Sequence, residues 1–488
     1  MQGRIQYQPA LFNTISLDEF IPKTHLLRKI DNVLDLDFVY ELTSTFYCPD
    51  NGRRSIDPAL FFRMQIIGYL YGIKSDRKLC EEIHLNLAYR WFCRLNLEDQ
   101  VPDHSSLTKI RQRLGEKTFQ RVFEHFIEKW CQTGIIAGRK LFTDASLVDA
   151  NASIDSMEER SDGDPNAKAL KNYQQRYHDF REGEKQRRIS NQTHVSQSDP
   201  DATLVSRKGT YRKMAYKVHY TVDGDSRIIT DCYGTTGSRH ECTVMPDRIT
   251  FQIDRFGLPT QEVIADKGYG RGPTYQQFRE LGIRTYIPLH DDNIGAGRIS
   301  RGAFAYDSRN DRYRCPTGQW MYPYEEPEKG IMKRYRIVGG HCKTCTLRSS
   351  CLPETQKNRS RFVYRSIHQS DIDRVRRRQD TKTFKARLIE RAWKIEGLFG
   401  EAKDNHCLRR TKYRGLANAQ IQFYLIALVQ NLKRVTILTL FLLKFITKMV
   451  RVVSRTLCSY IWRVDDSYKN ESRSISSHPQ TAYTFVSE

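Results

Sequence analysis

Long apolar runs are missing from this 488-residue chain. The longest, Val435 to Leu443, is too short to cross a bilayer, and the first twenty residues, MQGRIQYQPALFNTISLDEF, hold no apolar segment of signal-peptide length. The expectation is therefore no membrane partner and a cytoplasmic address. A disulfide framework is missing as well: the twelve Cys are mostly single and embedded in apolar helical patterns, as at Cys80, Cys93 and Cys131, the distribution of reduced core thiols. No internal repeat is present. Acid is scarce relative to base, with 57 Asp plus Glu against 79 Lys plus Arg and a formal charge of +22. Such an excess suits a long polyanion, because neutralising phosphates releases condensed counterions, so salt-sensitive binding to nucleic acid is expected. Core material is not lacking. With 39% hydrophobic and 28% charged residues, bulk disorder is excluded, and at about 100–200 residues per domain the length allows two to four domains.

The first 134 residues read as helical. Asp57 can cap a helix whose first position is Pro58, with Leu60, Met64 and Ile67 on one face. Phe119, Val122, Phe123, Phe126, Ile127 and Trp130 form an amphipathic stripe that Gly134 closes. Between these helices, SSLTKIRQR predicts a short capped helix carrying Lys109, Arg111 and Arg113, either a solvated face or one that contacts DNA. At Lys140 the period changes. KLFTDASLVDAN begins as a short apolar strand with Asp144 at its end, and EVIADKGYG is another that delivers Asp266 at its carboxyl end. KVHYTV and RIITDCY, joined by Asp223-Gly224-Asp225-Ser226, predict a hairpin. A polar stretch over about 153–211, with one candidate helix near Lys168 to Phe180, reads as an insertion, as does 291–365, rich in Gly, Tyr, Arg and Cys. Residues 135–290 and 366–450 are then two parts of one α/β domain, and periodicity is lost in a tail at 451–488, read as disordered.

Carboxylates at the ends of two apolar strands and one on a distant helix suit a two-metal phosphodiesterase site, because hard cations need oxygen ligands on rigid elements. Asp144, Asp266 and Glu396 fit, with Glu401, Asp149 and Glu241 as fallbacks. Taken singly, each Asp is more often a turn residue. On an ideal helix Trp393, Glu396, Gly400 and Lys403 share one face, and this favours Glu396 over Glu401. From Arg374 to Arg414 there are fourteen Lys or Arg against four acidic residues besides Glu396, a surplus that could grip phosphate.

TDAS, VIADKGY and EGLFGEAK together resemble the three motif regions of the DDE transposases of bacterial insertion sequences. SIDPALFFRMQIIGYLYGIKSDRKLCEEI and VPDHSSLTKIRQRLG are similar to the helical amino-terminal domain of many such enzymes. The resemblance covers most of Ser55 to Lys433. It implies a mixed α/β fold in which a helical amino-terminal domain for DNA binding or assembly precedes an RNase H-like sheet flanked by helices and interrupted by insertions. It implies Asp144, Asp266 and Glu396 as ligands of two Mg²⁺ (Mn²⁺ substituting), with Lys403, Arg391, Lys109, Arg111 and Arg113 on DNA. It also implies cleavage at element ends and joining of the 3′ hydroxyl to target DNA, by a homodimer or higher oligomer on double-stranded DNA in the bacterial nucleoid. A nuclease that cuts without joining, and an inactive DNA-binding derivative, stay open. In the family's Tyr, Arg, Glu, Lys pattern, Leu388 stands at the Tyr position, Arg391 is one residue farther from Glu396 than expected, and Cys407 stands where Gly is usual.

Cys315, Cys342, Cys345 and Cys351 are the one clustered set of thiols, and a CxxC step suits a structural zinc, with His341 and His368 as substitutes. The bland reading is free thiols on a loop. If the metal orders this segment, Tyr313, Arg314, Arg334 and Tyr335 would offer DNA a basic, stacking surface. His240 and His406 read as ordinary polar groups.

Overall fold

Local chemistry starts the amino-terminal helices where the sequence places them. In the computed structural model, Asp57 accepts from the Ala59 and Leu60 amides at 2.6 and 3.1 Å, and helix α4 (Pro58–Leu70) follows α1 (Leu17–Phe20), α2 (Leu26–Asp31) and α3 (Phe38–Thr43). The structure describes residues 16–475 except 49, 53–54, 161–188, 207–211, 291–298, 326–331 and 353–359, so the candidate helix at Lys168 to Phe180 lies outside the described residues. Helices α5 (Asp76–Leu85), α6 (Leu87–Phe92) and α7 (His104–Gln132) complete the bundle. Helix α7 joins the two segments read separately in the sequence. Its break is at Gly115, whose φ of 64° and ψ of 170° are open to glycine, and its cap is Asp103, bonded to the Ser105 amide at 2.8 Å. Phe61, Phe62 and Phe119 pack edge to face in the bundle core.

The chain then forms β1 (Lys140–Asp149), β2 (Met157–Glu159), β3 (His194–Ser196), β4 (Thr203–Val205), β5 (Lys213–Asp223), β6 (Ile229–Thr236), β7 (Glu262–Ala265) and β8 (Arg284–Tyr286). The central sheet runs β4-β5-β1-β7-β8, with β6 also paired to β5. Strand β1 is antiparallel to β5 and parallel to β7, and β7 is parallel to β8. This mixed order, with helices packed on it, is the expected RNase H-like sheet. The hairpin between β5 and β6 closes as predicted: Asp223 Oδ2 accepts from the Ser226 amide at 2.7 Å, and Arg227 takes a φ of 59°. Ten of the eleven residues of β5 are buried, so its alternation hides a strand covered on both faces. Part of the polar insertion is ordered: β2 pairs with β3, and β4 extends the main sheet.

The second insertion holds its own antiparallel sheet, order β13-β12-β11-β10-β9, formed by β9 (Ala305–Asp307), β10 (Arg312–Arg314), β11 (Trp320–Glu325), β12 (Met332–Ile337) and β13 (Phe362–Ser366). Its core is aromatic. Tyr313 and Tyr335 are buried there with Phe304, Met321 and Val363, and Tyr335 donates to Asp311 at 2.6 Å. The expectation that these two tyrosines face DNA is thus corrected, because the pleat turns them inward. Tyr322, Tyr324 and Tyr364 are the exposed rings, and Arg336 stacks over Tyr324 at 3.3 Å.

Helices Gln369–Arg378 and Lys382–Arg391 follow, then a π-helical turn Ala392–Glu396, helix Gly397–Asn405, and helix Leu416–Ile475. The first part of the last helix packs on the sheet. Gln420 accepts from the Gly234 amide at 2.5 Å, and Asn431 bonds both backbone groups of Ile229 at 2.8 Å. By length and composition Leu416–Phe441 could cross a membrane, but 67% of its most apolar stretch is buried in the protein, as in a core helix. Its Gln and Asn residues hide that length from a search for unbroken apolar runs. A second unit begins at Lys433, and its described residues are helical as far as Ile475, which corrects the disorder expected from residue 451 up to that point: helical hydrogen bonding does not require an apolar stripe.

Candidate active site

Parallel pairing sets the first two carboxylates side by side. Thr143 on β1 is in register with Ala265, the last residue of β7, so Asp144 and Asp266 follow at the same level; Asp266 lies just past its strand as expected, whereas β1 runs on through Asp144 to Asp149 because its pairing with β5 continues. Asp266 is exposed and caps its own turn through the Lys267 amide at 2.6 Å. Asp144 is mostly enclosed. Burial pushes its carboxyl above the usual range, against the opposing pull of the Arg391 guanidinium at 2.8 Å and the Ala145 amide.

Glu396 comes to the same place through the π-helical turn. On an α-helix, residues five apart are about 140° out of line. A π turn closes i to i+5 hydrogen bonds and takes in the extra residue between Arg391 and Glu396, so both acid and base face β1. Arg391 then spans the two carboxylates, at 2.8 Å from Asp144 and 3.4 Å from Glu396. This corrects one member of the face read for Trp393, Glu396, Gly400 and Lys403: the last three keep α-helical spacing, whereas the π turn takes Trp393 off that face. Trp393 lies instead at the β5–β6 hairpin, where Arg227 donates to its carbonyl at 3.1 Å and sits 5.4 Å from its ring. Lys394 is buried and bonds the Gly224 carbonyl. The π turn is thereby held from both sides.

The fallback carboxylates separate cleanly. Glu401 faces the following helix, accepting from Gln430 at 3.3 Å with His406 at 3.5 Å. Asp149 is bonded to Lys213 at the far end of β1. Glu241 is different. Its carboxylate lies against the Lys267–Gly268–Tyr269 turn and raises the Asp144 carboxyl further, and Lys217 pairs with it at 3.2 Å. A lysine inside an apolar strand needs a buried partner, which is the sequence signal that leads from Lys217 to this site. Tyr269, in the ADKGY motif, also points here, a signal that a search for acids alone does not register.

Beyond Glu396, Lys403 lines a cavity of about 420 Å³ with Lys74, Arg409, Arg410 and Lys412, a strongly basic pocket between the helix end and the turn after α4. Cys407, in this wall, has a φ of 64°, a left-handed conformation that favours Gly, the residue the resemblance leads one to expect there. His406 donates from Nδ1 to the Tyr69 carbonyl of the helical bundle at 2.8 Å.

In the amino-terminal domain Lys109 and Arg113 are exposed, but Arg111 is not. Its side chain is 2% exposed, bonds Asp76 at 2.8 Å and stacks on Tyr413 at 4.0 Å. The DNA contact expected of Arg111 is corrected to a structural tie, because its guanidinium is turned into the protein. Cys315, Cys342, Cys345 and Cys351 all line one cavity of about 30 Å³, beside His341; His368 packs elsewhere, against Gly272. Among the described residues no three His, Cys, Asp or Glu groups already stand at ion-binding spacing, either here or around Arg391.

Two family matches bracket this architecture. Residues 15–113 match a transposase domain (DUF772), and residues 314–436 match a transposase DDE domain. The second match includes Glu396 and Lys403 and begins after Asp144 and Asp266, so these two rest on the geometry above. Among solved structures, the chain is similar to a piggyBac transposase synaptic complex with hairpin DNA, at 10% identity over 84% of this chain and 75% of that one, TM-score 0.30. It is also similar to the Mos1 transposase paired-end complex with left transposon end, at 10% identity over 51% and 65%, TM-score 0.15. The Mos1 mariner paired-end complex with Mn is a third, at 10% identity over 52% and 67%, TM-score 0.16. Transposase-domain models thus match the chain on both sides of its sheet, the second of them a transposase DDE domain.

Proposed function

We propose that Asp144, Asp266 and Glu396 are the catalytic carboxylates, and that the enzyme cleaves at element ends and joins the freed 3′ hydroxyl to target DNA. The observation that carries this is Arg391, a positive charge shared by Asp144 and Glu396 beside the strand that ends in Asp266. Three carboxylates on rigid elements, two of them exposed, fit hard divalent cations, and the three would hold two Mg²⁺ or Mn²⁺. When bound, these ions activate the attacking oxygen and stabilise the leaving one. Arg391 holds the carboxylates in place, ready for a cation. Lys403 and the basic cavity bind the phosphate backbone beyond the scissile bond. Both transfers are in-line displacements at one site, by water and then by a 3′ hydroxyl, so no covalent protein intermediate is needed. The enzyme acts on cytoplasmic, nucleoid DNA as a dimer or larger assembly. With labelled element ends, joined products are expected; cut ends that never join would make it a nuclease.

Lys109 and Arg113 lie four residues apart on the exposed face of α7 and serve end binding. In the full-length protein, Lys109→Ala and Arg113→Ala should each weaken binding and lower the salt slope by about 0.9 for each phosphate no longer neutralised. Unchanged slopes in a titration by fluorescence anisotropy would move recognition to another surface.

The four cysteines bind one structural zinc in this reading. Burial and the neighbouring thiols raise the Cys351 thiol, so these sulfurs already feel one another, and a cation would relieve that. Protein purified without chelator should carry about one equivalent by elemental analysis, and Cys342→Ser should lose it. Less than about half an equivalent would leave four free thiols.

A further inference from the structure

Tyr269 is fully buried, and its hydroxyl has no hydrogen-bond partner among the described residues. A buried hydroxyl left unpaired is costly, so its position asks for an occupant. Its surroundings say which. The groups whose charges act on it are, in order, Glu241, Asp144, Arg391 and Asp266. Burial keeps this phenol protonated, so it is a donor. Glu241 belongs to the same wall. Its carboxylate would stand 3.3 Å from a Cβ at Gly268, and it is fixed by Lys217, whose ammonium also donates to the Arg239 carbonyl at 2.9 Å.

We propose that Glu241 and Tyr269 are positioning residues of the cation site, Tyr269 donating to a water in the outer hydration shell of a divalent ion on Asp144 and Asp266, and Glu241 adding a fourth negative charge beside it. Mg²⁺ dehydrates reluctantly and keeps several waters, which need acceptors and donors in the wall of the site. The inference rests on the reading of Asp144 and Asp266 as ligands. It assigns no chemistry to either residue: both act through the oriented shell.

Mn²⁺ binding to the full-length protein, followed by electron paramagnetic resonance, tests it with no DNA present. Tyr269→Phe and Glu241→Gln should each weaken Mn²⁺ binding about tenfold. The melting temperature of metal-free Tyr269→Phe should be unchanged or higher, because the hydroxyl removed is unpaired. A lower melting temperature with wild-type Mn²⁺ affinity would make Tyr269 a packing residue and overturn the proposal. Asp144→Asn is the control. If it binds Mn²⁺ normally, the carboxylate reading itself fails; if it loses Mn²⁺ while Tyr269→Phe and Glu241→Gln bind as wild type, only the present inference falls.

Discussion

Asp144→Ala, Asp266→Ala and Glu396→Ala should each lower cleavage of a labelled element end by about a thousandfold or more, while end binding in a gel shift stays close to wild type. Charge stabilisation by bound cations supplies several kcal/mol of the barrier, and about 1.4 kcal/mol is a factor of ten. Binding should survive, because in the proposed reading the phosphates are held elsewhere, by Lys403 and the basic residues that line its cavity. Glu401→Ala is the informative companion. Its carboxylate is engaged by Gln430 and His406, so the variant should melt earlier yet cleave. Full cleavage by Glu396→Ala together with a folded, dead Glu401→Ala would mean the helix is out of phase.

Arg111→Ala should destabilise the protein by about 3–5 kcal/mol, the usual cost of leaving a buried charge unpaired. Asp76, with a side chain 11% exposed, would keep the neutral Tyr413 hydroxyl, at 3.0 Å from both its oxygens, in place of a cation. Because Tyr413 follows the Glu396 helix, the loss would loosen the seam between the bundle and the catalytic part. Chemical denaturation of the full-length protein measures it. A shift below about 1 kcal/mol would return Arg111 to the surface, where DNA contact is again open.

Much of this was legible. Switches of hydrophobic period mark β1 and β7 and put Asp144 and Asp266 on strands, and Asp57, Pro58 and Gly134 mark helix ends. The position of Arg111 was legible too, had the helical period been applied: Lys109 and Arg113 are one turn apart, and a residue midway between them lies on the opposite face. The aromatic core of the second insertion was harder, because short strands of Tyr and Arg resemble a loop rich in both until pairing turns alternate rings inward.

By itself the sequence determined which residue types the site would have, the strands that carry two of them and the charge that attracts the substrate, because these follow from local periodicity and composition. Only the tertiary structure decided which carboxylates meet. Choosing Glu396 over Glu401 depends on helix phase, and that phase is shifted by a π turn held by Arg227 and the Gly224 carbonyl of a hairpin more than 160 residues earlier. Bringing Glu241 and Tyr269 to Asp144 likewise needs strand register across the sheet, a nonlocal condition that no window of sequence contains.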